Sequence, residues 1–144
     1  MNLTTFNITK TIQNGTNQAE ELTSIEIDSI GDVMVGGWTY GAWFGLNQGG
    51  KDLLLMKYDS DLNLIWGWQY GGNDHDLIND LSIDIFDDIW IGGGTESSLF
   101  LSNQGNQDGP IAKIKSDGSL MFGRQSVEDF YKFNRFNHFN CNEL

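Results

Sequence analysis

One cysteine, one proline, two histidines and eight basic side chains are all that 144 residues contain of those types, and each scarcity excludes something. A lone Cys141 rules out an intrachain disulfide framework and any zinc site built on several cysteines. That usage fits a reducing compartment and an unstapled extracellular β protein equally well. Twenty acidic residues against eight basic ones leave a formal net charge of -12. No basic stripe is there to neutralise phosphates, so a nucleic-acid partner is not expected. The same sign argues against docking on an anionic membrane face. No apolar run approaches the roughly 18 residues of a membrane span. The start, "MNLTTFNITK", has no basic stretch leading into an apolar one, so neither a transmembrane segment nor a signal peptide is expected. With a single proline, turn-making falls to 18 glycines and to Asn and Asp.

Catalytic signatures are missing too. His75 and His138 are isolated, and the chain holds no H-E-x-x-H pair, G-x-S-x-G elbow or phosphate-cradling G-x-x-x-x-G-K-[ST] loop. Gly92-Gly93-Gly94 ends an apolar run and is not a nucleotide loop. "DSDLNLIW" (Asp59 to Trp66) has the Asp and Trp spacing of an Asp-box turn but lacks its Ser and Gly. A sialidase would need an arginine cluster, and this chain has only Arg124 and Arg135. Asn2, Asn7 and Asn14 each open an N-x-[ST] triplet, read here as chance in an Asn/Thr-rich stretch. No catalytic residue, no cofactor and no enzymatic role are expected.

What the chain does have is an internal duplication. Slid along itself by 56 residues, it aligns without a gap: "SIEIDSIGDVMVGGWT" (Ser24 to Thr39) lies over "DLSIDIFDDIWIGGGT" (Asp80 to Thr95). "FGLNQGGKD" (Phe44 to Asp52) lies over "FLSNQGNQD" (Phe100 to Asp108), and "KYDSDLNLIWGWQ" (Lys57 to Gln69) over "KIKSDGSLMFGRQ" (Lys113 to Gln125). From Gly15 to Gln69, nineteen of fifty-five positions are identical to their partners, too many for chance without gaps. Each copy reads as four short strands separated by Gly and Asx turns, with no helical periodicity, which predicts an all-β fold. In the first copy these are Ser24 to Asp28, Val33 to Val35 ending at Gly36-Gly37, Asp52 to Asp59, and Leu64 to Tyr70. In the second they are Leu81 to Asp84, Ile89 to Gly92, Ile111 to Lys115 and Leu120 to Gln125.

A tandem four-stranded antiparallel unit of this length suits a β-propeller blade, for which about 40–50 residues is usual. The positions Asp28, Gly31, Asp32, Val33, Val35, Gly37, then Asp52, Lys57, Asp59, Trp66, then Tyr70, Gly71 and Gly72 resemble the blade pattern of the SBBP family of β-propeller repeats. In the second copy Asp84, Asp88, Ile89, Ile91, Gly93, Asp108, Lys113, Asp117 and Phe122 stand there. Asp87 replaces the turn glycine, and Ser126-Val127 replaces the closing Tyr-Gly. The resemblance covers about residues 14–125 and implies a fold, not a reaction. "TFNITKTIQNGTN" (Thr5 to Asn17) aligns with "DLNLIWGWQYGGN" (Asp61 to Asn73), the last strand of a blade. The expected organisation is therefore a strand over residues 1–14 that completes a neighbouring blade, blade 1 over 15–70, blade 2 over 71–126 and a tail over 127–144. Two blades cannot close a ring, which takes about 4–8. Closure is expected by oligomerisation, with a dimer, trimer or tetramer giving four, six or eight blades, or within a longer chain.

Three groups of residues are candidates for contact with something else. Trp38, Tyr40 and Trp43 are aromatics that do not recur in the second copy, where Gly94, Glu96 and Leu99 stand, whereas Phe44 recurs as Phe100. They serve packing between blades or a ligand surface. In the tail, Phe130, Phe133, Phe136 and Phe139 recur every third residue, with Lys132, Arg135 and His138 between them, forming a cover for one end of the fold or a docking stripe. Asp74, Asp76 and Asp80 are the weak candidates for a cation, since D-x-D spacing supplies oxygens but no EF-hand loop is present. Asp28, Asp32, Asp84 and Asp88 recur and are read as turn residues. The function expected is a non-enzymatic, self-assembling scaffold with itself or another protein as partner. The alternative is a lectin-like module stacking a glycan on its loop aromatics.

Overall fold

The computed structural model describes residues 9–126, which form eight strands and no helix. Glu20–Ile27 (β1), Val33–Thr39 (β2), Asp52–Tyr58 (β3) and Leu64–Tyr70 (β4) make one antiparallel sheet in the order β1-β2-β3-β4. Asp76–Ile83 (β5), Ile89–Thr95 (β6), Gly109–Ile114 (β7) and Leu120–Ser126 (β8) make a second sheet with the same order and direction. The 56-residue offset holds strand by strand. It holds for irregularities as well: bulges at Leu22/Ser24 and Lys57/Tyr58 reappear at Ile78/Asp80 and Lys113/Ile114. The four-stranded units read from the sequence are present in both copies. β1 and β5 start earlier than the alternation of hydrophobics implied. The bulge is the reason, because it puts Leu22 and Ile25, three apart, on one face and interrupts the period of two.

Side-chain alternation gives each sheet two faces. In the first sheet the front face carries Met34, Leu53, Leu55, Trp66, Trp68 and Tyr70. It packs on the back face of the second sheet, which carries Ile78, Leu81, Ile89, Ile91, Ala112 and Ile114, with Leu99 and Phe100 joining from the β6–β7 loop. Met34, Leu53 and Leu55 are fully buried there. The back face of the first sheet holds a second cluster of Val35, Leu54, Met56 and Tyr58, with Val33, Trp43 and Phe44 against it. β3, "DLLLMKY", is buried along its whole length because apolar groups lie on both sides of it. Phe44 rests on Gly67 and Phe100 on Gly123. A Cβ at either glycine would fall about 2.2–2.3 Å from the ring, so only glycine admits the aromatic.

The sheets thus meet front to back, which leaves, among the described residues, the front face of the second sheet open and the back face of the first open along β1. Corresponding positions show the difference directly. On the inner strand of the second sheet Ile78 is 0% and Leu81 3% exposed; their counterparts on the first, Leu22 and Ile25, are 53% and 65% exposed. On the front faces Met34 is fully buried, whereas its counterpart Trp90 is 36% exposed beside Phe122. Residues 9–16 lie over the exposed back face without joining a β-ladder. Ile12 of this segment, with Leu22, Ile25, Val35, Met56 and Tyr58, lines an open groove of about 430 Å³.

Candidate functional site

The turn joining β1 to β2 is built by Asp28, whose Oδ1 accepts the amides of Ile30 (3.1 Å) and Asp32 (2.9 Å). Lys57, reaching in from β3, places Nζ 2.9 Å from Asp28 Oδ2 and 3.1 Å from Asp32 Oδ2. The second copy repeats the arrangement, with Lys113 Nζ 2.8 Å from Asp84 and 3.0 Å from Asp88. Burial alone would push the Asp28 carboxyl up. Lys57 and the amides of Asp32 and Ile30 outweigh it and hold the group below the usual range. Burial opposes ionisation of Asp84 as well, yet Lys113, the Phe86 amide, the Trp90 indole and the Asp88 amide bring it to about 2. Asp28 and Asp84 bond the turn backbone as expected, whereas the carboxylates of Asp32 and Asp88 meet only the lysine, a partner that was not foreseen. Its signal was there in Lys57 and Lys113, one lysine at the same place in two apolar strands.

At the opposite end of each sheet a glutamine ties the long loop to the strands. Gln69 Oε1 accepts the amides of Trp43 (2.9 Å) and Phe44 (3.2 Å), and its Nε2 donates to Gly41 O and Asp52 Oδ2 (2.8 Å each). Gln125 does the same for Leu99, Phe100, Ser97 and Asp108. Two of the three acids proposed for a cation are spent on such tasks. Asp76 is fully buried, accepting from Thr95 Oγ1 and from the Gly72 amide (2.7 Å), and burial holds its carboxyl above the usual range. Asp80 accepts from Ser24 Oγ (2.9 Å) and the Leu81 amide, linking the two inner strands. Asp74 lies in the β4–β5 connection, its amide donating to Ser97 Oγ. Among the described residues no three His, Cys, Asp or Glu side chains are placed to hold a metal ion.

The three non-recurring aromatics do not share a surface. Trp38 is buried on the front side of β2, with Tyr40 edge-on at 5.4 Å and Lys51 Nζ 3.8 Å above its ring. Tyr40 meets His75 in turn, at 5.9 Å. Trp43 stacks on Phe44 at 5.4 Å and faces the groove on the back of the sheet. The Phe-rich stripe Phe130, Phe133, Phe136 and Phe139 lies outside the described residues.

The exposed back and front faces are therefore the candidate site. The back face presents Leu22 and Ile25, the front face presents Trp90 and Phe122 beside Lys113 and Arg124, and each is the counterpart of a face already seated in the chain's own core. None of the described residues forms a helix long and apolar enough to cross a membrane. No protein-family model matches the chain, and no curated protein matches it in sequence.

Proposed function

We propose that the chain is a non-enzymatic scaffold that assembles with itself, each four-stranded sheet acting as a propeller blade. In this reading the exposed front face of one copy's second sheet docks on the exposed back face of the next copy's first sheet. The observation that carries it is the contrast between Ile78 and Leu81, sealed at the interface inside the chain, and Leu22 and Ile25, their open counterparts. Burying an isoleucine side chain contributes about 1.5–3 kcal/mol, so the open positions are a standing drive toward a sheet of the same kind. The contact is heterologous, using two different patches, and such contacts generate rings when the rotation closes. Two, three or four copies supply four, six or eight blades, within the usual range of about 4–8.

Sedimentation velocity over a wide concentration range tests the reading. The wild-type chain is expected to shift to discrete oligomers, and added salt to favour them by screening the charge of -12. Ile25→Glu is expected to hold the chain monomeric with its melting unchanged, because that side chain already faces water. A monomer at every concentration, both for the wild-type chain and for a folded chain lacking residues 1–16, would sink the proposal.

A further inference from the structure

Residues 10–16 occupy, on the back face of the first sheet, the place that β4 takes on the back face of the second. Thr16 donates its amide to Glu20 Oε1 (3.2 Å), as Gly72, its counterpart, donates to Asp76 Oδ2 (2.7 Å). Thr16 sits against Gly41 just as Gly72 sits against Ser97, again at counterpart positions. Lys10 bonds the carbonyl of Asp61 in the β3–β4 turn; Trp66, its counterpart, bonds the carbonyl of Ser116 (3.1 Å), one position away in the matching turn. Ile12 lines the groove as Trp68 packs on the core of the second sheet.

One slot thus has two claimants. If a second copy docks front to back, its β8 is the strand that belongs there. Phe122 and Arg124 of β8 hold the positions of Trp66 and Trp68, and so of Lys10 and Ile12. Both cannot be seated. β8 is held along its whole length by its ladder with β7, from Gly109–Ser126 to Ile114–Leu120. The segment has no ladder, Ile12 is 40% exposed, and Lys10 and Thr16 supply its few anchors. The segment is the cheaper one to displace.

We infer that residues 10–16 are an intrachain plug that competes with β8 of a second copy for the groove, so that self-association is held back until the plug leaves. This rests on the self-assembly reading above and adds its regulation: a step that removes or captures the plug licenses assembly. A plugged groove lowers the apparent affinity by the fraction of chains left open.

The experiment compares the full chain, a chain starting at residue 17, and the full chain carrying Ile12→Asp, by sedimentation velocity. Circular dichroism and thermal melting confirm the fold of each. Both variants are expected to associate more tightly than the full chain, by about tenfold or more for a well-seated plug. Adding Ile25→Glu to either is expected to abolish the gain, which places it in the groove. A folded truncated chain that associates no more tightly than the full chain overturns the plug and leaves the self-assembly reading standing. If removing residues 1–16 unfolds the chain, Ile12→Asp decides, unchanged or weaker association refuting the plug. If all three remain monomeric, the self-assembly reading fails and the plug with it.

Discussion

Replacing Lys57 by methionine keeps most of the side chain's volume and removes its charge, leaving two carboxylates facing each other inside the sheet. Asp28 has a side chain only 1% exposed and Asp32 one of 13%, so neither can turn to water. Asp28 keeps the amides of Ile30 and Asp32, which satisfy one oxygen; the other loses its only partner. Removing one member of a buried ion pair destabilises by about 3–5 kcal/mol, and that loss is expected at pH 7 in urea unfolding. The second copy provides a control. Lys113, Asp84 and Asp88 are more open, so solvent screens the remaining charges, and Lys113→Met is expected to lose less, about 1–3 kcal/mol. Adding Asp28→Asn and Asp32→Asn to Lys57→Met removes the unpaired charges and is expected to recover much of the loss. Equal losses for the two lysines, or no recovery in the triple variant, would refute an electrostatic origin and point to packing.

Further expectations concern the rest of the frame. The carboxyls of Asp28 and Asp84 are depressed in the folded chain, so their contribution is present above the ordinary carboxylate range and is lost as pH falls through their folded values, about 2 for Asp84; acid titration of stability should show this, with a smaller drop for Asp84→Asn. Gly67→Ala places a methyl 2.2 Å from the Phe44 ring and is expected to cost about 1–3 kcal/mol in thermal unfolding, with Phe44→Leu relieving part of it. Gln69→Leu strands the amides of Trp43 and Phe44 and the Gly41 carbonyl, for an expected loss of about 2–4 kcal/mol by chemical denaturation. Trp38→Leu should lower the melting temperature, whereas Trp43→Ser, at the groove, should act more on sedimentation than on melting.

The duplication made the strand order legible, because hydrophobic alternation, Gly ends and Asx turns all recur at one offset. β4 matches its expected bounds, since "LIWGWQY" is framed by Asn63 and by a glycine pair. The alternation broke down where the backbone departs from a flat ladder. The bulge at Leu22/Ser24 hid the first turns of β1, and the side-chain-free run Gly92-Gly93-Gly94 hid the end of β6, which continues to Thr95. Trp38 and Trp43 looked like one patch along the chain. β2 ends at Thr39, and the loop beyond it carries Trp43 round to the back of the sheet. The ion triplets were obscured because Lys57 lies 29 residues from Asp28, a pairing set by sheet topology and not by local spacing.

The turn glycine missing from the second copy bears on how the two halves stay in order. Asp87 takes the left-handed conformation (φ 60°) where the first copy has Gly31 (φ 93°), a backbone shape that aspartate tolerates better than most residues. Its carboxylate accepts the amide and hydroxyl of Ser29, 3.0 and 2.6 Å away, across the seam between the sheets. The donor exists only in the first copy and the acceptor only in the second, because Ile85 stands in the place of Ser29 and Gly31 in that of Asp87. A seam formed between two chains would bring Ile85 to Gly31 and could not remake this bond. The internal seam is therefore marked as different from any external one: a first sheet followed by a second, in that order, is written into a single pair of side chains.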